Sequence, residues 1–177
     1  MSTEIELERT FLARELPAGL DRARSVVIRD VYIPETADHA VLRLRQKGEK
    51  YEITKKEPVV GDDSSQQYEH TIPLTQVEFE ALATASRKDF VKRRYFLQIA
   101  GRDAEVDVYG EKLAGLVVID FEFASIADKD SFETPTECLA DVTQDVVIAG
   151  GFLAGKSYSD IAAGLATYGY KPIQGGF

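Results

Sequence analysis

The sequence predicts an α+β fold, a closed eight-stranded antiparallel β-barrel forming a tunnel, with helices packed outside. Three observations lead there. Most segments alternate polar and apolar residues with period two, the pattern of strands with one buried face. Short turns such as Lys47-Gly48-Glu49 and Gly101-Arg102-Asp103 join neighbours closely enough to make them antiparallel. Finally, charge is sorted by strand: five strands carry same-sign pairs at i and i+2, with apolar residues on the opposite face. A closed antiparallel sheet accommodates both faces, holding the charges in a hydrated lumen while the exterior packs against helices.

The strands are expected over residues 4–13, 25–33, 40–46, 51–56, 67–72, 91–100, 105–109 and 115–123. In the first, Glu4, Glu6 and Glu8 project to one side and Ile5, Leu7 and Phe11 to the other. Three carboxylates on one face require a cationic wall opposite them, or water. The third strand supplies Arg43 and Arg45 opposite Leu42 and Leu44, and the fourth supplies Lys56 beside Thr54. The sixth pairs Lys92 with Arg94, leaving Arg93 among Val91, Tyr95 and Leu97. The last two strands reverse the sign, with Glu105, Asp107 and Tyr109 on one face of the first and Asp120 and Glu122 on one face of the second.

Helices fall between and after the strands. Thr75 with Glu78 forms a capping box opening a helix to residue 85, with Val77, Phe79, Ala81 and Leu82 available for burial. Ser157 with Asp160 opens a second helix to residue 167, which Gly169 ends and Pro172 prevents from resuming. The Gly175-Gly176-Phe177 tail is expected to be loose.

A chain of 177 residues with 44% hydrophobic content is expected to form one domain over residues 1–177. The net charge of -9 excludes a non-specific nucleic-acid binder, which needs surplus Lys and Arg on its surface, but leaves room for an internal cationic cavity. No apolar run has the length of a membrane span, so the expectation is a cytoplasmic protein, monomeric or homodimeric, without membrane or nucleic-acid partners. Cys138 is alone, which excludes an internal disulfide or a cysteine metal cluster. His39 and His70 belong to no ligand or triad pattern.

The charges point to a polyanion. Arg43, Arg45, Lys56, Lys92 and Arg94 can neutralise several phosphate oxygens, arginine in bidentate geometry. Carboxylates are hard oxygen donors that select Mg²⁺ or Mn²⁺, ions that bridge protein and phosphate and promote in-line attack by water. At these residues the chain resembles the CYTH family, the triphosphate tunnel metalloenzymes, from the opening strand to about Thr143. Glu6-Leu7-Glu8-Arg9-Thr10 resembles the family's Glu-x-Glu-x-Lys strand with Thr10 in the lysine's place. In family order follow Arg43-Leu44-Arg45, Thr54-Lys55-Lys56, Lys92-Arg93-Arg94-Tyr95, then the acidic strands ending at Asp120-Phe121-Glu122-Phe123 and the Asp141-Val142-Thr143 segment.

The resemblance implies metal-dependent hydrolysis of a small-molecule triphosphate, most simply inorganic triphosphate. It assigns Glu6, Glu8 and Glu122 to catalysis, the five cations to phosphate binding, and Glu6, Glu8, Asp107, Asp120, Glu122 and Asp141 to Mg²⁺ or Mn²⁺. Two alternatives accompany it: an adenylate cyclase of the same fold, and a polyphosphate-binding module weakened in catalysis because the Thr10 hydroxyl does not replace an ammonium. A competing motif, Gly150-Gly151-Phe152-Leu153-Ala154-Gly155-Lys156-Ser157, satisfies the phosphate-loop spacing. Only 20 residues follow it, too few for the parallel strands that fold requires. It is read instead as a glycine-containing loop leading to a terminal helix on the barrel exterior.

Overall fold

The computed structural model describes residues 2–175, with side chains from Ile5 onward; the Glu4 side chain, Gly176 and Phe177 lie outside the described residues. Nine strands run in chain order: β1 Ser2–Ala13, β2 Arg24–Ile33, β3 Leu42–Lys47, β4 Lys50–Pro58, β5 Gln66–Leu74, β6 Asp89–Ile99, β7 Arg102–Tyr109, β8 Val117–Glu122 and β9 Cys138–Asp141. Eight of them close a ring, β1-β5-β4-β3-β2-β6-β7-β8 and back to β1, every pairing antiparallel. The expected barrel is therefore present.

Its strand ends differ from the sequence reading where glycine geometry intervenes. Gly115 has φ +105°, and a Cβ there would press on Pro172, so β8 begins only at Val117. Ala100 and Gly101 both have positive φ, which ends β6 at Ile99. The short β9 was not expected. It pairs with the end of β1 through Phe11↔Asp141 and Leu12↔Ala140, on the edge that β5 occupies from Ser2 to Leu7.

Between those two partners the barrel wall is thin. Glu8 N donates to Ser65 O, and Thr10 N to the Thr143 hydroxyl. Gln144 spans the remaining slit, donating to Asp63 and accepting from Ser64 N at 3.0 Å.

Two apolar layers cover the barrel outside. Helix α1 (Gln76–Ala83) has the expected Thr75–Glu78 capping box and lays Phe79 on Val31, Leu44, Tyr51 and Ile53. Full burial of such a ring contributes about 1.5–3 kcal/mol. Of the four residues expected to be available for burial, only Phe79 is buried; Val77 is 75% and Leu82 40% exposed, because the helix is too short to present a wide stripe. The second layer packs Phe11, Val106, Ile119, Phe121 and Phe123 under Phe132, which follows helix α2 (Ile126–Asp130). Phe132 lies 4.7 Å from Phe121 between ring centroids.

The C-terminal segment departs most from expectation. Val146–Ile148 is a 3-10 turn, followed by helices α3 (Gly150–Leu153) and α4 (Tyr158–Ala166). Rather than lying on the outer wall, this segment plugs one end of the barrel. Inward-facing Leu12, Tyr32, Phe90, Tyr109 and Val118 form one core with Val142, Leu153, Ile161, Leu165 and Tyr170. A Cβ at Gly150 would collide with the Tyr32 hydroxyl, and one at Gly151 with the Ala40 carbonyl. The glycines of the phosphate-loop spacing thus serve close packing. Lys156 stacks on Phe152 at 4.3 Å, and Ser157 caps α4 with Asp160.

Candidate active site

Inside the barrel lies a polar cavity of about 660 Å³, lined by the residues of even number on β1, β2, β4, β6 and β8 and of odd number on β3, β5 and β7. Such alternation follows from the strand period. The apolar plug closes the end near Leu12 and Tyr32, and exposure rises toward Glu122 at the other.

One wall is cationic. Arg43 and Arg45 project from β3, Lys56 from β4, Lys92 and Arg94 from β6. The Arg45 guanidinium grips Asp30 with two bonds of 2.7 Å, and both residues are buried. Burial alone would raise Asp30, but the guanidiniums of Arg45 and Arg43 pull its carboxyl down to about 2. Arg94 makes the same bidentate grip on Asp107 at 2.7 Å, touches Glu105, and approaches Asp120 at 3.5 Å. Lys92 shares the Asp107 Oδ2 with Arg94. Against the opposing cost of its own burial, these two cations hold the Asp107 carboxyl well below the carboxylate range. Lys56 contacts Glu6, with Glu69 at 3.5 Å and Glu8 at 3.9 Å. Arg43 differs: its buried Nε has no hydrogen-bond partner.

The facing wall is acidic. Glu8 of β1 lies directly opposite Glu122 of β8, and Thr10 opposite Asp120. The Thr10 hydroxyl donates to Asp120 at 2.8 Å, where the resemblance expects an ammonium. Burial, then repulsion from Asp107 and Glu8, lifts the Asp120 carboxyl to about 7. Burial first, and acid neighbours second, also raise Glu122 above the ordinary value; Glu6 is raised mainly by burial.

The expected site residues are brought together with one exception. Asp141 does not line the tunnel. Arg9 holds it on the outer side of the wall, with bonds of 2.6 and 3.1 Å, above a cleft of about 840 Å³. Asp107 does face the tunnel, but it is committed to Lys92 and Arg94. Sequence reasoning passed over Asp30, Glu69 and Tyr32. Asp30 left one signal, a lone acid in an apolar strand, legible only with Arg45 placed beside it by the register Asp30↔Arg45.

A divalent cation fits the donor chemistry of the acidic wall. Glu6, Glu8, Asp120 and Glu122 offer hard oxygens, and burial, with acid neighbours, disfavours the charged forms of Glu6, Asp120 and Glu122, a cost that a bound cation would offset. As they stand, no three acids among the described residues converge on one point.

A closed barrel whose interior opposes a cationic wall to an acidic one is a polyanion-binding tunnel, and comparison with known proteins places it. Residues 4–133 match the CYTH domain, and the chain belongs to the CYTH family. It is similar to a protein from Nitrosomonas europaea named inorganic triphosphatase, 35% identical over 141 residues, covering 79% of this chain and 90% of that one. A crystal structure of an inorganic triphosphatase superposes with a TM-score of 0.61 at 28% identity, over 84% of this chain and 93% of the other. A Bacillus halodurans protein provisionally described as an adenylate cyclase superposes with a TM-score of 0.57 over 100% and 96% of the two chains. At 15% identity that last likeness speaks for the fold alone.

Proposed function

We propose that this protein hydrolyses inorganic triphosphate to pyrophosphate and orthophosphate with Mg²⁺ or Mn²⁺. The observation that carries the proposal is the facing of Arg43, Arg45, Lys56, Lys92 and Arg94 by Glu6, Glu8, Asp120 and Glu122 across one closed-ended cavity. The similarity to an inorganic triphosphatase at 35% identity supports the substrate.

Arg43, Arg45, Lys56, Lys92 and Arg94 bind the phosphate chain. Asp30 and Asp107 fix Arg45 and Arg94 in one orientation each, so little side-chain freedom remains to be lost when substrate enters. The partnerless Arg43 Nε is a donor waiting for a phosphate oxygen. Glu6, Glu8, Asp120 and Glu122 would hold the metal, which supplies Lewis-acid polarisation of a phosphoryl oxygen and lowers the pKa of attacking water. Water attacks phosphorus, the bridging P–O bond breaks with its electrons on the leaving pyrophosphate, and the water's proton passes to a carboxylate. Glu122 is assigned that proton because it is the most exposed acid of the wall, whereas Asp120 accepts the Thr10 hydroxyl and lies beside Arg94. Asp107 acts by positioning cations, and Asp141 by tying β9 to Arg9; neither is needed as a metal ligand.

Residues 1–177 act as one domain in this reading, and a buried free Cys138 is compatible with the reducing cytoplasm. The test is phosphate release from inorganic triphosphate, ATP and pyrophosphate with Mg²⁺, Mn²⁺ or EDTA. Metal-dependent turnover of triphosphate over ATP is expected. Absence of release, or formation of a cyclic nucleotide from ATP, overturns the proposal.

A further inference from the structure

Strand β1 changes partners along one edge. Its pairing with β5 ends at Leu7, and its pairing with β9 begins at Phe11. Glu8 and Thr10 stand in that gap, and both line the tunnel on its acidic side. Loop residues hold their backbone N–H groups there, Glu8 N donating to Ser65 O and Thr10 N to the Thr143 hydroxyl at 3.0 Å. At Thr10, then, a side-chain oxygen does what a strand carbonyl does in a continuous sheet.

That hydroxyl is itself directed. Threonine carries one hydroxyl proton, so it donates a single bond and accepts others on its lone pairs. Asp141 Oδ1 takes the proton at 2.5 Å and accepts Thr143 N at 2.9 Å, which leaves a lone pair for Thr10 N. Without Asp141 the same proton could turn to Thr10 O, 3.4 Å away. Arg9 occupies the other carboxylate oxygen and holds Asp141 in this orientation. On the inner side Thr10 passes the constraint on, because its side chain is stiff at χ1 and its hydroxyl donates to Asp120 Oδ1 at 2.8 Å. Hydrogen bonds thus lead through Thr143 and Thr10 from the outer cleft to the acidic wall, and Thr143 borders both cavities.

We propose that Thr143 is a positioning residue for the metal-holding wall: it fixes Thr10 and, through Thr10, the Asp120 carboxylate, while Asp141 directs the Thr143 hydroxyl. The inference rests on the reading of Glu6, Glu8, Asp120 and Glu122 as the acids that hold a divalent cation. It gives Asp141 an influence on a cation that it does not touch. Residues that orient metal ligands from behind typically carry about 10–100-fold in metal affinity. Phosphate binding is a separate matter, since Arg43, Arg45, Lys92 and Arg94 project from β3 and β6, which pair with neither β1 nor β9.

The test is a Mn²⁺ titration followed by the electron paramagnetic resonance of the free ion, in the wild type, Thr143→Val, Thr143→Ser and Asp141→Ala. Thr143→Val keeps the side-chain shape and removes the hydroxyl, so the Mn²⁺ dissociation constant is expected to rise about tenfold. Calorimetric binding of triphosphate to the metal-free variant should stay within about twofold of wild type. Thr143→Ser should restore the Mn²⁺ affinity, and Asp141→Ala should lower it in the same direction as Thr143→Val. A merely structural tie would lower the thermal midpoint of Thr143→Val and leave its Mn²⁺ affinity unchanged; that result, or equal losses of Mn²⁺ and triphosphate binding, overturns the proposal. If Thr143→Val fails to fold, Asp141→Ala decides by the same two titrations. Should the wild type bind Mn²⁺ yet release no phosphate from triphosphate, the hydrolase reading falls and the Thr143 role is still decided by the variants. Should the wild type bind no Mn²⁺, both fall.

Discussion

Arg43 and Arg45 are the same residue type on the same strand face, yet they should respond differently to removal. Arg45→Ala strips the buried Asp30 carboxylate of its bidentate hydrogen-bonded partner, a loss of about 3–5 kcal/mol of stability. Arg43→Ala breaks no ion pair, so denaturant midpoints should stay near wild type while KM for triphosphate rises by about tenfold or more. Thr10 gives a second contrast. Replacing its hydroxyl by an ammonium in Thr10→Lys places a cation beside Asp120, which lowers that carboxyl from about 7; carboxyl NMR titration of the metal-free protein measures the shift. An unchanged titration would show that a lysine there points elsewhere. At this scale the sequence disclosed which side chains share a face, because strand period alone fixes that. It did not disclose that Asp141 is captured by Arg9, since that choice depends on which side of β1 the short β9 docks.

The element that carried the least warning was the C-terminal plug. Its Gly150-to-Ser157 spacing satisfies a phosphate loop, and a short apolar run preceded by a strand-like residue pattern gives no hint of a 3-10 turn. Only contact with the barrel end distinguishes the readings: two glycines are required where the backbone passes the Tyr32 hydroxyl and the Ala40 carbonyl. Gly151→Ala should therefore lower stability by about 1–3 kcal/mol, as overpacking does, readable in thermal unfolding. Lys156→Ala, in contrast, should leave triphosphate turnover unchanged, because Lys156 lies on Phe152 and not in the tunnel. Collapse of turnover in that variant with the fold intact would return the segment to a phosphate-binding role. Elements bounded by local chemistry fared better, as the Thr75–Glu78 and Ser157–Asp160 capping boxes both formed where expected.

For the whole molecule, the barrel was legible because charge sorting repeats on strand after strand, and one closed ring satisfies all of the faces together. The sealed end was not, because it depends on tertiary contacts between segments distant in sequence. Charge sorting also shapes the pH dependence of stability. Asp30 and Asp107 titrate below their unfolded value of 3.8, so their contribution is complete above that pH and lost as pH falls toward about 2. Asp120, lifted to about 7, acts oppositely: its contribution is complete below 3.8 and lost as pH rises through 7. Thermal unfolding of the metal-free protein should therefore show greatest stability at about pH 4 and a decline toward pH 7 and above. Finally, a vessel with one mouth empties in the reverse order of filling. Whichever fragment of a cleaved chain sits against Tyr32 and Leu12 must depart last, and so it alone returns to an empty enzyme as a rival of incoming substrate. Orthophosphate competing with triphosphate, while pyrophosphate inhibits non-competitively, would mean that scission occurs at the bottom of the well; the opposite pattern would put it near the brim.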